Sequence, residues 1–129
     1  MRTQLRLTRD GDLFVARLAP SQVAAMFEAL SYLSGYGDAQ LALLVGAGRE
    51  DVDALLERMA GPHTRSRDFR LTVRELHTLH SALVAAPTMF LVNGGVFAEE
   101  PFHIRLGFYR ENFDVLAHAI VQAAAEGDT

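Results

Sequence analysis

Apolar positions change period several times along the chain, and the changes mark out the elements. Thr3-Gln4-Leu5-Arg6-Leu7 and Leu13-Phe14-Val15-Ala16-Arg17-Leu18 are short runs separated by Asp10-Gly11. An Asp-Gly pair between alternating segments signals a β-hairpin. Pro20 then suits a helix start, where its fixed φ is pre-set and its missing N–H is not needed. Val23, Met26, Phe27, Leu30 and Leu33 follow at helical spacing, and Gly35 and Gly37 end that helix. Further on, Val52, Leu55, Leu56 and Met59 form a second helical stripe. Arg67–Thr72 alternates as a strand, and Val73–Ala86 carries Leu76, Leu79 and Leu83 on one helical face. Phe102-His103-Ile104-Arg105-Leu106 alternates as a strand, and Phe113, Leu116, Ala117, Ile120 and Val121 mark a last helix.

Much of this pattern occurs twice. Residues 17–30 read onto 70–83 at an offset of 53, and 45–56 onto 106–117 at an offset of 61; nine of these 26 positions are identical. Such self-similarity marks a repeated supersecondary unit. It also decides an ambiguous run. Leu41-Ala42-Leu43-Leu44-Val45 fits helix or buried strand equally well, but its counterpart, Phe102–Leu106, alternates, so both read as strands. The unit is then strand–helix–strand–helix, used at about 12–60 and 65–126 within a single domain of 1–129, with Gly61-Pro62-His63-Thr64 as linker. The expected fold class is α+β: a five-stranded, mainly antiparallel sheet with an extra N-terminal strand, four helices on one face and a pseudo-twofold between the halves.

The copies differ in two ways that bear on function. Copy two carries eight additional residues in the stretch Pro87–Pro101, which is apolar for a connection: Met89, Phe90, Leu91, Val92, Val96 and Phe97 flank Asn93-Gly94-Gly95. Asn-Gly-Gly would turn a small hairpin of Met89–Val92 against Val96–Ala98. That segment either caps the core or forms a contact surface. The second difference is polar. Alternation places His103 and Arg105 on the sheet face opposite the helices, and the same period sends Arg17, Arg70, Arg2 and Arg6 there. These arginines either form a solvated face paired with Asp12 and Asp68, or recognise an acidic protein or phosphate backbone. Acids meanwhile gather on helices, at Glu50, Asp51, Asp53, Glu57, Glu111 and Asp114.

Composition narrows the classes further. The 129 residues are half apolar and 22% charged, an ordinary globular balance, with a net charge of −4. That sign disfavours indiscriminate nucleic-acid binding. There is no cysteine, which removes disulfides, thiolate metal sites and a Cys nucleophile. All twelve basic residues are arginine. Arg2, Arg6, Arg9 and Asp10 interrupt any secretory leader, and no apolar run reaches transmembrane length, so a cytoplasmic location and no membrane partner are expected.

Candidate chemistry is sparse. His77-Thr78-Leu79-His80 places two histidines at i, i+3 beside Glu75, as a metal site would, and His63 or His103 could approach. Yet His80 falls where copy one has the inward Phe27, so no metal and no cofactor are expected. Arg49-Glu50 and Arg110-Glu111 recur at helix starts, where Glu complements the dipole and Arg could bridge to the neighbouring strand. Gly46-Ala47-Gly48 lacks the remainder of a nucleotide loop and reads as a turn.

Leu71-Thr72-x-x-Glu75-Leu76-x-x-Leu79-x-x-Ala82-Leu83, followed by Phe102-His103-x-Arg105-x-Gly107-x-x-Arg110-Glu111, resembles a loose group of small bacterial proteins. They share an ELxxLxxAL helix and an EFxxRxGxxREE strand–helix, and some are regarded as immunity-type, partner-binding proteins. The chain departs from that pattern at Tyr109 and at Ala85-Ala86. The resemblance implies a small α+β protein without catalytic machinery. The expectation is therefore a non-enzymatic, macromolecule-binding protein, an immunity-type toxin neutraliser being one form of it. Its partner would be a protein or a second copy in a homodimer. The contact residues would be Arg17, Arg70, His103 and Arg105 on the sheet, with Met89, Phe90 and Phe97 in the insertion. The competing expectations are a small-molecule or enzymatic site using His77, His80 or His103, and modest nucleic-acid binding.

Overall fold

The computed structural model describes residues 4–62, 64–94 and 110–127. The elements are β1 (Arg6–Asp10), β2 (Leu13–Leu18), α1 (Pro20–Leu33), α2 (Asp38–Val45), α3 (Arg49–Met59), β3 (Arg67–Thr72), α4 (Val73–Gly94) and α5 (Arg110–Gly127). The strands form one antiparallel sheet in the order β1-β2-β3. Gly11 turns the hairpin with a φ of 63°, and no non-glycine residue among those described has positive φ. A single positive φ at the first of two loop residues is the pattern of a II′ turn, whose twist suits paired strands.

Alternation sorts the sheet into two faces. Leu7, Phe14, Ala16, Leu18, Phe69 and Leu71 are buried on the helix side, whereas Arg6, Thr8, Arg17, Asp68 and Arg70 are exposed. Against the buried face, α1 packs beside α4, α5 covers α4 and β1, α2 lies on α4, and α3 lies on α1. The core runs through all five of these helices, with Phe113, Met26, Leu30, Leu41, Met59 and Leu79 among its fully buried side chains.

The α+β class holds, but the five-stranded pseudo-twofold sheet does not: among the described residues there are three strands, and five helices rather than four. Leu41–Val45 is the middle and end of helix α2. Leu41 and Val45, four residues apart, are fully buried and Leu44 packs partly on the core, while Leu43 is 88% exposed; a strand would have buried Leu41, Leu43 and Val45 together. Gly37 and Gly46 frame the helix. Gln40 Oε1 accepts the Gly37 N–H at 3.1 Å, and Gly46 closes the end at a φ of 71°. The expected strand 102–106 lies outside the described residues.

The expected hairpin of Met89–Val92 is also replaced by helix. α4 runs on through Pro87 to Gly94. A proline within a helix removes one hydrogen bond and crowds the preceding turn, at about 3 kcal/mol. Burial on both sides offsets this: Leu83, Ala86 and Pro87 are buried, and Met89 and Phe90 pack on the core. In α5, Val121 is 53% exposed rather than inward, and Ala123 takes the buried position.

The repeat reappears where strand meets helix. Gln22 Oε1 accepts the Ala19 N–H at 2.8 Å, and 53 residues later Glu75 Oε1 accepts the Thr72 N–H at 2.9 Å. In the second case Thr72 Oγ1 also accepts the Glu75 N–H at 3.0 Å, completing a capping box. Gln22 also ties the helix to the N-terminal segment. Its Nε2 donates to the Gln4 carbonyl at 2.7 Å, and the side chain is fully buried. Replacing Gln22 by Leu should lower unfolding free energy by about 1–3 kcal/mol, because the buried Ala19 N–H loses its acceptor and the Gln4 carbonyl loses its donor. Urea denaturation checks the size, and faster amide exchange at the start of β1 checks the location.

Candidate functional site

The sheet face left uncovered among the described residues is built from three rows of facing residues. Arg6, Arg17 and Asp68 form one row, Thr8, Val15 and Arg70 the next, and Asp10, Leu13 and Thr72 the last. Leu13 and Val15 are half-buried down the middle strand, between flanking charges. Arg17 Nη1 lies 3.3 Å from Asp68 Oδ1, with side chains 62% and 55% exposed. Arg70 Nη2 donates to Asp10 Oδ2 at 2.7 Å, spanning β2 at the level of Leu13 and Val15. Arg6 faces Arg17 across the hairpin and makes no ion pair among the described residues. Exposed pairs of this kind contribute only about 0.2–1 kcal/mol each, since water competes for both partners.

Arg17, Arg70 and Arg6 therefore stand on the face where alternation places them. Arg70 takes Asp10 rather than Asp12, because its row lies next to that of Asp10 across β2. Arg2, His103, Arg105 and Phe97 lie outside the described residues. Met89 and Phe90 are on α4, away from this face; the Phe90 ring sits 5.7 Å from that of Tyr32, tilted by 52°. The two groups of expected contact residues thus separate, sheet from helix. Leu13, Val15 and Thr8 complete the surface. The expected contact set omits them, although the same period-2 reading places them beside Arg17.

Two further arginines close the edges of the buried layer. The Arg9 guanidinium lies 5.1 Å over the Phe14 ring and that of Arg67 lies 4.7 Å over Phe69. Each shields an aromatic core residue while keeping its charge in water. At the edge of β3 left open among the described residues, Arg58 donates to the Arg70 carbonyl and pairs with Glu75 at 2.6 Å. An edge carbonyl occupied by a charged side chain is a poor template for another strand.

The remaining candidates resolve into structural parts. Arg49 does not bridge to a strand: its backbone N–H donates to Asp38 Oδ1 at 2.8 Å, and its guanidinium donates to the Tyr36 carbonyl. Gly46 to Gly48 joins α2 to α3 as a turn, and a Cβ on Gly46 would stand 3.2 Å from the His77 ring. His77 is exposed, with Nε2 3.4 Å from Ser81 Oγ. His80 is half-buried, and burial, then the nearby His77 charge, hold its pKa below the ordinary 6.5. Among the described residues no three His, Asp or Glu side chains are grouped to hold a metal ion, and no helix is long and apolar enough to cross a membrane. No family model, curated protein or solved structure matches the chain.

His80 generates a pH prediction. Its depressed pKa means that the unfolded chain takes up the proton first on acidification. Stability from this group is therefore complete above pH 6.5 and declines as pH falls from there through the folded value. NMR titration should place the His80 midpoint below 6.5, and His77→Ala should restore only part of the shift, because burial is the larger cause.

Proposed function

We propose that this chain is a non-enzymatic binding protein that engages an acidic protein partner through the uncovered face of its sheet. The observation that carries the reading is the make-up of that face. Arg6, Arg17 and Arg70 surround the aliphatic pair Leu13 and Val15. Their ion-pair partners among the described residues are the exposed carboxylates of Asp10 and Asp68. A solvated ion pair is held so weakly that a partner's carboxylate, desolvated on docking, can replace the internal one at little loss. Guanidinium groups bind carboxylates bidentately and lie flat against aliphatic surface, which makes them effective interface anchors. A face of three arginines and two aspartates also stands out on a protein whose net charge is −4. The nine facing positions include no aromatic residue, which favours a protein over single-stranded nucleic acid, whose bases need stacking platforms. An immunity-type role would make the acidic partner a toxin, in line with the resemblance of the second half of the sequence.

The test is charge reversal on the face with stability measured alongside. Arg17→Glu combined with Arg70→Glu should weaken a reconstituted complex with a purified acidic partner on the order of 100-fold. The wild-type complex should also weaken as salt rises. Each substitution alone should cost no more than about 1 kcal/mol in unfolding free energy, since the lost pairs are solvent-exposed. A partner held equally well by the double variant would place the interface elsewhere.

A further inference from the structure

Between α3 and β3 the chain forms a cleft of about 440 Å³, lined among the described residues by Ala60, Pro62, Thr64, Arg65 and Arg67. None of these belongs to the nine positions of the uncovered sheet face, so the cleft stands or falls apart from the reading above. This lining holds two cations, one hydroxyl and no acid. An anion entering this cleft would be attracted by both arginines.

Two acids of the neighbouring strand and helix are already engaged elsewhere. Asp68, the only acid from Arg58 to Arg74, points to the opposite face of the sheet and pairs with Arg17 at 3.3 Å. Glu75 is committed twice, to Arg58 Nη1 at 2.6 Å and to the Thr72 N–H at 2.9 Å. Arg65 makes no ion pair among the described residues. Arg67 is anchored without being neutralised: its Nη2 donates to the Arg58 carbonyl at 3.2 Å, and its guanidinium rests on the Phe69 ring. A guanidinium has five N–H donors, so most of those on Arg67 remain for a ligand while its position is already set. Pre-set donors bind an anion more tightly, because less side-chain freedom is lost on binding.

We infer that this cleft is a binding site for a phosphate group, with Arg65 and Arg67 as the two cationic arms and the Thr64 hydroxyl as a further donor. Two guanidinium groups match the double charge and multiple acceptor oxygens of a phosphate, whereas a single carboxylate would satisfy only one of them. The cleft is open to solvent, which admits either the free ion or the phosphate end of a small ester.

NMR titration of the intact chain with inorganic phosphate above neutral pH, with sodium chloride holding ionic strength constant, tests this. Saturable shifts should appear at the amides of Thr64, Arg65, Ser66 and Arg67 and at the two arginine side chains. Acetate under the same conditions should bind at least about tenfold more weakly, because it brings half the charge. Glycerol phosphate distinguishes the sources: saturation at the same residues shows that the site takes an ester, and saturation by inorganic phosphate alone shows that it takes the free ion. Arg65→Ala and Arg67→Ala should each remove saturation while leaving the remainder of the amide spectrum in place. Arg74→Ala, an exposed arginine outside the cleft, should change nothing. Shifts that never saturate, that survive in both cleft variants, or that acetate reproduces at equal concentration would overturn the assignment.

Discussion

The structure depends first on the register between β2 and β3. Ala16 faces Phe69, Phe14 faces Leu71 and Leu18 faces Arg67, which places the apolar set of both strands on one side. A slip of β3 by one residue would turn Asp68 and Arg70 into the helix layer and expose Phe69 and Leu71. Burying these two charges away from their partners is far more expensive than any loss of strand pairing, so the alternative is closed. The same choice that makes a core thus makes the charged outer face. Ala16 and Phe69 are also 53 residues apart, the offset of the first repeat. Equivalent positions of β2 and β3 therefore lie symmetrically about this pair, and small Ala16 leaves room for the large ring opposite.

From that register the helices follow. Each strand runs directly into a helix, β2 into α1 and β3 into α4, and at each junction the third helical residue turns its side chain back to the preceding N–H. The two uses differ in one respect. Glu75 is half-buried and paired with Arg58, so it links β3, α3 and α4, whereas Gln22 is fully buried and neutral, linking α1 to the segment before β1. A carboxylate at the position of Gln22 would have no cation within the core to balance it. The buried stripe of α4 falls 53 residues after that of α1, and the stripe Val52, Leu55, Met59 of α3 falls 61 residues before Phe113, Leu116, Ile120 of α5.

What was legible in the sequence was whatever depends on period. Arg67–Thr72 is a strand with the bounds its alternation gives, α1 starts at Pro20, and the inward residues of α3 and the first half of α4 are those of their stripes. The sheet face carrying Arg17 and Arg70 follows from parity alone. What failed depended on comparison between copies or on a breaker residue. LALLV has no internal period, and borrowing one from Phe102–Leu106 made a strand of a helix; the glycines at 37 and 46 were the better signal. Pro87 and Asn93-Gly94-Gly95 suggested an interrupted connection, yet tertiary burial of Leu83, Ala86 and Phe90 carries the helix past the proline. The cleft arginines carry no such signal: Arg65 stands in a linker, where no period exists to assign a side, and Arg67 opens β3 with the parity of Phe69 and Leu71, which marks the helix side and not a ligand.

Charge distribution ties these observations together. Residues 58–74 hold five arginines and one acid, while the rest of the chain holds seven arginines and fifteen acids. The segregation accompanies the topology: among the described residues β3 is an edge strand, and the arginines on and around it stand on the outer face (Arg70), at the strand edge (Arg58) and in the cleft (Arg65, Arg67) within one short stretch. An acidic body with a concentrated basic edge creates a field that orients an approaching anion before contact. Arg70 of the proposed contact face and Arg65 and Arg67 of the proposed cleft site all belong to this one stretch.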